Sequence, residues 1–125
     1  MTPETLLLRQ VHPSFVQNGR ITSQVFRPTP KDELLLSVDN GDDVPPRESW
    51  RRFTDDLGCK SIGVLAVSHS QCSEQALPVI EDGTPYPEHC SINFTDFEKR
   101  EIEKKAKLLR SQAENRGWLF KADVA

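Results

Sequence analysis

Arg9, His12, Ser23, Ser37 and His89 are the residues of this chain whose types and positions suit acid–base chemistry on an anionic group. Two imidazoles flanking a bound anion supply a general base and a general acid, as cleavage of a phosphodiester requires. An arginine beside them, Arg9 or Arg27, offers a planar fork of N–H donors that matches two phosphate oxygens. The five side chains are spread over most of the sequence, so only a sheet that brings distant strands together can assemble them.

The strands that would do so can be read from the pattern. Residues 6–12 (LLLRQVH) form a first strand closed by Pro13, with Gln10 and His12 on one face and Leu7, Arg9 and Val11 on the other. Asn18-Gly19 supplies the positive backbone angles of a tight turn, and residues 20–26 (RITSQVF) follow as a second strand carrying Ser23. Residues 33–38 (ELLLSV) make a third strand with Ser37, stopped by the turn-rich run DNGDD. Residues 61–68 (SIGVLAVS) are apolar at both parities, the pattern of a central strand buried on both faces. In residues 89–94, Cys90, Ile92 and Phe94 alternate with His89, Ser91 and Asn93. A plainer account competes with the chemical one. A histidine before a proline at a strand end commonly serves as a hydrogen-bonded terminus, and Ser and Thr on strands pair across the sheet.

Helices frame these strands. After Pro45-Pro46, Trp50, Phe53 and Leu57 at spacings of three and four predict a helix ended by Gly58. Ser68 with Gln71 is a capping-box pattern, and Thr95 with Glu98 is a second one opening a long helix that ends at Gly117. Ile102, Ala106, Leu109 and Ala113 form its docking stripe; Phe97 and Leu108 fall outside it. A brief edge strand is expected at residues 79–80 and a terminal one at 118–120. The chain therefore reads as a single α+β domain over residues 1–125. It has a mixed or antiparallel sheet of about five strands, a long C-terminal helix packed on one face and one or two shorter helices.

Composition narrows the function classes. An apolar fraction of 36% and a charged fraction of 28% suit a soluble globular chain. No apolar run approaches the roughly 20 residues of a membrane span, and MTPETLLLRQ lacks the charge pattern of a secretory signal. A cytoplasmic protein with no membrane role is the expectation. The net charge of −3 and the acids interleaved with Lys99, Arg100, Lys104, Lys105, Lys107 and Arg110 disfavour nucleic acid as a partner. Cys59, Cys72 and Cys90 are odd in number and contain no CxxC pair, which fits reduced thiols. His69, Cys72, His89 and Cys90 give three converging ligands at best, because neighbours on a strand point apart, so no metal or other cofactor is expected. Cys72 beside His69 near a helix start has the elements of a nucleophile, but its position in the helix turns it inward.

Trp50, Arg51, Arg52, Phe53, Phe97, Leu108 and Trp118 exceed what one small core needs, and aromatic residues with arginine are the composition of interface hot spots. The leading expectation is a small binding or accessory module of antitoxin, immunity or defence-accessory type, acting on a protein partner or as a homodimer. An enzyme directed at a nucleotide or RNA, with His12 and His89 as acid and base, is the alternative.

The order RQVHPSFVQNGRITSQVFRP, then LLSV, then PEHCSINF is similar to that of a family of small bacterial proteins of unknown function. The resemblance implies a bacterial source and one constellation of His12, Ser23, Ser37 and His89. It implies no activity.

Overall fold

The computed structural model describes residues 1–122. Its centre is a six-stranded antiparallel sheet, and the strands that meet in the middle are the first two long ones in the chain. These are β1 (Leu6–Gln10) and β4 (Leu35–Asn40). A two-stranded hairpin, β2 (Val16–Gln17) and β3 (Arg20–Ile21), separates them in sequence. Gln17 pairs with Arg20, so Asn18 and Gly19 alone make the turn, both at positive φ as the Asn-Gly pair requires. β5 (Gly63–Ser68) lies on the far side of β1, and β7 (His89–Asn93) lies beside β4. Short strands close the edges: β6 (Val79–Ile80) on β7 and β8 (Phe120–Lys121) on β5. All six residues of β5 are buried, as its apolar run at both parities dictates. β5 is nonetheless fifth in the strand order rather than central, with β8 beyond it.

One face of the sheet carries the main core. α3 (Lys99–Arg116) lays Ile102, Ala106, Leu109 and Ala113 on Leu7, Val38, Leu65, Val67, Cys90 and Ile92. α2 (His69–Glu74) is opened by Ser68, whose Oγ accepts from the Gln71 amide while the Gln71 side chain accepts from the Ser68 amide. On the opposite face, α1 (Pro46–Arg51) and the π-helical turn Arg52–Asp56 that continues it cover only part of the sheet. Trp50 packs there with Leu8, Val64, Ala66 and Phe120, and its Nε1 donates to the Ser61 carbonyl at 2.9 Å. The β4–β7 half of this face is left open.

Two expectations are corrected. Residues 20–26 do not form one strand: after Ile21 the chain turns into a 3₁₀ segment, Ser23–Phe26. Val25 and Phe26 are adjacent and both fully buried, which a strand open on one side cannot achieve, whereas a tight turn against α3 does. The Thr95–Glu98 capping box also does not form. The helix starts at Lys99 with Glu98 as its N-cap and no side-chain cap, while the Thr95 amide donates to Asn93 Oδ1 at 2.8 Å. Buried Phe94 and half-buried Phe97 pull residues 94–97 into a turn on the core instead.

β1 and β4 are paired at only Leu7–Asn40 and Leu8–Asp39, then separate. Arg9 fills the split. Its Nε donates to the Val25 carbonyl at 2.7 Å and its Nη1 to the Ser37 carbonyl at 3.0 Å, tying the 3₁₀ turn and β4 to β1. Burial draws the guanidinium down to about 10, against the pull of Asp32, so it stays cationic at neutral pH. Arg9→Met strands both carbonyls, and a stability loss on the order of 3 kcal/mol is expected in urea denaturation. Arg9→Lys, with one compact ammonium in place of the fork, is expected to fall between the two. A variant with methionine as stable as the parent would remove Arg9 from this role.

Candidate functional site

Three adjoining depressions share Arg9 as a lining residue. The first is a pocket of about 160 Å³ on the open half of the sheet, floored by β1, β4 and β7 and overhung by the Arg52–Asp56 turn and by Pro85 and Tyr86. The alternation of β4 puts Ser37 and Asp39 on this face, and that of β7 puts His89 and Ser91 there. Asp39 and His89 are direct cross-strand partners, a relation that sets their Cβ atoms about 5 Å apart.

A polar chain fixes Asp39. Its Oδ2 accepts from Ser49 Oγ at 2.6 Å, Ser49 Oγ accepts from Gln10 Nε2 at 2.9 Å, and Gln10 Oε1 accepts from Ser61 Oγ at 2.8 Å. Burial nevertheless raises the Asp39 carboxyl above its ordinary value, against the Ser49 hydrogen bond and the nearby His89 and Arg52. Asp39 makes no ion pair among the described residues.

His89 is held from behind. Its Nδ1 lies 2.5 Å from Asp82 Oδ1, and Ser91 Oγ donates to Asp82 Oδ2 at 2.6 Å. Burial works against the Asp82 charge, but the hydrogen bonds from Ser91 and His89 prevail and hold its carboxyl below the usual range. An ionised Asp82 accepts from Nδ1, which orients the ring with Nε2 as its other polar atom. Arg52 pairs with buried Glu88 and lies over the Tyr86 ring at 5.0 Å, fixing the other wall of the pocket.

The second depression lies between Arg9, Arg27 and the turn at residues 28–32. The third runs between His12, Phe53 and Lys60. His12 is thus separated from His89. It sits four residues beyond Leu8, whose partner Asp39 faces His89, so strand spacings put the two Cα atoms about 16 Å apart. His12 Nδ1 accepts from the Ser14 amide at 3.0 Å and caps the short turn Pro13–Phe15. Ser37 lines the first and second depressions, while Ser23 lines none of the three.

The aromatic residues are mostly committed to packing. Trp50, Phe97 and Trp118 are partly buried against the two apolar clusters, and Arg51 pairs with Glu48 on the surface. Leu108 is exposed on α3, and Phe53 with Leu57 forms the rim of the first pocket. Burial pushes the Cys72 thiol up to about 12 and, with surrounding acids, the Cys90 thiol to about 11, so both stay protonated and poorly nucleophilic near neutrality. Among the described residues no cluster of three His, Cys, Asp or Glu side chains is placed to hold a metal ion. No helix among them is long and apolar enough to cross a membrane.

Asp39, Ser49, Asp82 and Tyr86 were not legible as site residues. Asp39 had a usable signal, since extending the third strand by one position puts it on the Ser37 face. Asp82 and Tyr86 lie in an irregular connection with no period to read. Comparison with protein-family models, with curated proteins and with solved structures finds no match for this chain.

The raised Asp39 carboxyl sets a pH dependence. The folded state binds this proton more tightly than the unfolded chain, so the group's stabilising contribution is full below the ordinary value of 3.8 and is lost as pH rises through the folded value. Asp39→Asn retains an acceptor for Ser49 and removes the opposed charge. It is expected to match the parent in acid and to exceed it near neutrality in urea denaturation, and lower stability near neutrality would contradict this account.

Proposed function

We propose that the chain is a binding module that captures a partner polypeptide at the Asp39–His89 pocket, taking up a basic side chain of that partner. The observation that carries this reading is Asp39: a desolvated carboxylate with only Oδ2 engaged, set inside a rim of Phe53, Leu57, Pro85 and Tyr86. Aromatic rims around a desolvated polar anchor are the anatomy of interface hot spots. A pocket of about 160 Å³ admits one side chain rather than a whole ligand. The net charge of −3 favours a basic partner. Accessory roles of the antitoxin or immunity kind rest on such a contact.

The Asp82–His89 pair supports a second reading. A histidine oriented through Nδ1 by a carboxylate, with a raised carboxyl across from it, is equipped for proton transfer. In that reading the acid–base partner of His89 is Asp39, since His12 lines a different depression.

Selection of a displayed random-peptide library on the immobilised protein tests the first reading. Enrichment of sequences sharing a Lys or Arg is expected, with affinity falling by at least about tenfold in Asp39→Asn and in Tyr86→Ala. No enrichment, or binding indifferent to both substitutions, would falsify it. The urea midpoint of Asp39→Asn, expected to exceed the parent's near neutrality, separates a lost contact from a lost fold.

A further inference from the structure

We propose that the depression between Arg9 and Arg27 is a binding site for the phosphate group of a small molecule. It measures about 370 Å³, within the range of small-molecule pockets. Two guanidinium groups line it, Ser14, Gln24 and Thr29 add neutral polar side chains, and Asp32 is the single carboxylate among its lining residues. Asp32 Oδ2 already accepts the Thr29 hydroxyl at 2.9 Å, which draws it toward its own turn.

Arg27 is the residue that points to a ligand. Among the described residues its backbone amide donates to the Gln24 carbonyl, but its side chain makes no hydrogen bond and no ion pair. A guanidinium on the wall of a depression without a counter-charge of its own is completed by an oxyanion. Arg9 contributes the remainder. Its Nε and Nη1 are spent on the Val25 and Ser37 carbonyls, which aims the guanidinium and leaves Nη2 for a ligand. Two forks at fixed positions suit the several oxygens of a phosphate better than the two of a carboxylate. Phe15, 5.9 Å from the Arg9 guanidinium, supplies an apolar wall for the organic part of a monoester.

This site shares only Arg9 and Ser37 with the lining of the Asp39 pocket, so its failure leaves the partner-binding reading untouched, and the reverse holds too. Titration calorimetry with inorganic phosphate and with a nucleoside monophosphate, on the parent, Arg27→Gln and Asp32→Asn, decides it. Saturable binding with a dissociation constant of about 1 mM or tighter is expected for at least one probe. Arg27→Gln should weaken it at least about tenfold, and Asp32→Asn, which removes the one opposing charge, should tighten it. A preference for the nucleotide assigns the site to an organic monoester, and a preference for inorganic phosphate assigns it to the free ion. The Arg27 side chain has no hydrogen bond or ion pair to lose, and its backbone amide bond to Gln24 survives the substitution, so Arg27→Gln is expected to keep the parent's circular dichroism. Absence of saturable binding by either probe, or an Arg27→Gln variant that binds like the parent, would overturn the proposal.

Discussion

The Arg9 guanidinium donates to carbonyls of two segments that β1 does not otherwise hold at that level, the Ser23–Phe26 turn and the middle of β4. An antiparallel pair normally satisfies its own backbone groups by continuing the ladder. Here the ladder between β1 and β4 stops after Leu8–Asp39, while β1–β5 and β4–β7 each continue over five residue pairs. A side chain therefore does what the backbone does elsewhere, at the centre of the sheet. Only arginine has the reach and the diverging donors to satisfy two carbonyls on separate segments at once. The split that Arg9 bridges is also what gives the surface its concavity, and each of the three depressions has Arg9 in its wall.

Unequal coverage of the two faces does the rest. α3 spans one face with a continuous apolar stripe. α1 is short, and Trp50 anchors it toward β5 and β8, so the helical cover over β4 and β7 is limited to the end of α1 and the Arg52–Asp56 turn. Those two strands answer with polar residues at that parity: Ser37, Asp39, His89 and Ser91, the last of them buried beneath Asp82. Each half mixes charges: Asp39 and His89 sit with Arg9 and Arg52 on one side of Ser37, and Asp32 sits with Arg9 and Arg27 on the other. The first holds a carboxylate with one oxygen unengaged, whereas the second holds two guanidinium groups against a carboxylate already engaged by Thr29, and the two are proposed to take different ligands.

Period-based reading succeeded where one face alone is buried. The α3 stripe, the Cys90–Ile92–Phe94 alternation and the Asn18-Gly19 turn are local patterns with one physical solution, and the structure has that solution. It failed where tertiary burial overrides local preference. β-branched and aromatic residues after Arg20 suggest a strand, yet burying Val25 and Phe26 together on α3 forces a tight turn. Thr95 and Glu98 have the right identities for a cap, but Phe94 and Phe97 anchor the chain one turn earlier. The site was legible in part for the same reason. Face assignments on strands placed Ser37 and His89 on one surface, whereas the partner of His89 comes from a loop, and the separation of His12 depends on register, which no single strand encodes.

Asp39 is the clearest sign that this surface is kept for something other than stability. A carboxylate at this position opposes its own burial, and Asn would make the same Ser49 contact without the charge. The chain instead keeps the charge and builds a relay of three side chains, from Ser61 through Gln10 and Ser49, that fixes where it sits. Orienting an ionisable group so closely has no use in the core, where Leu7 and Val38 pack without it. It has a use where an incoming group must meet a dry carboxylate already aimed at it, because preorganisation lowers the entropy that binding would otherwise lose. His89 is treated in the same way, through Asp82 and Ser91. Two independently buttressed titratable groups on adjacent strands of one half-sheet are the features on which the proposed partner contact rests.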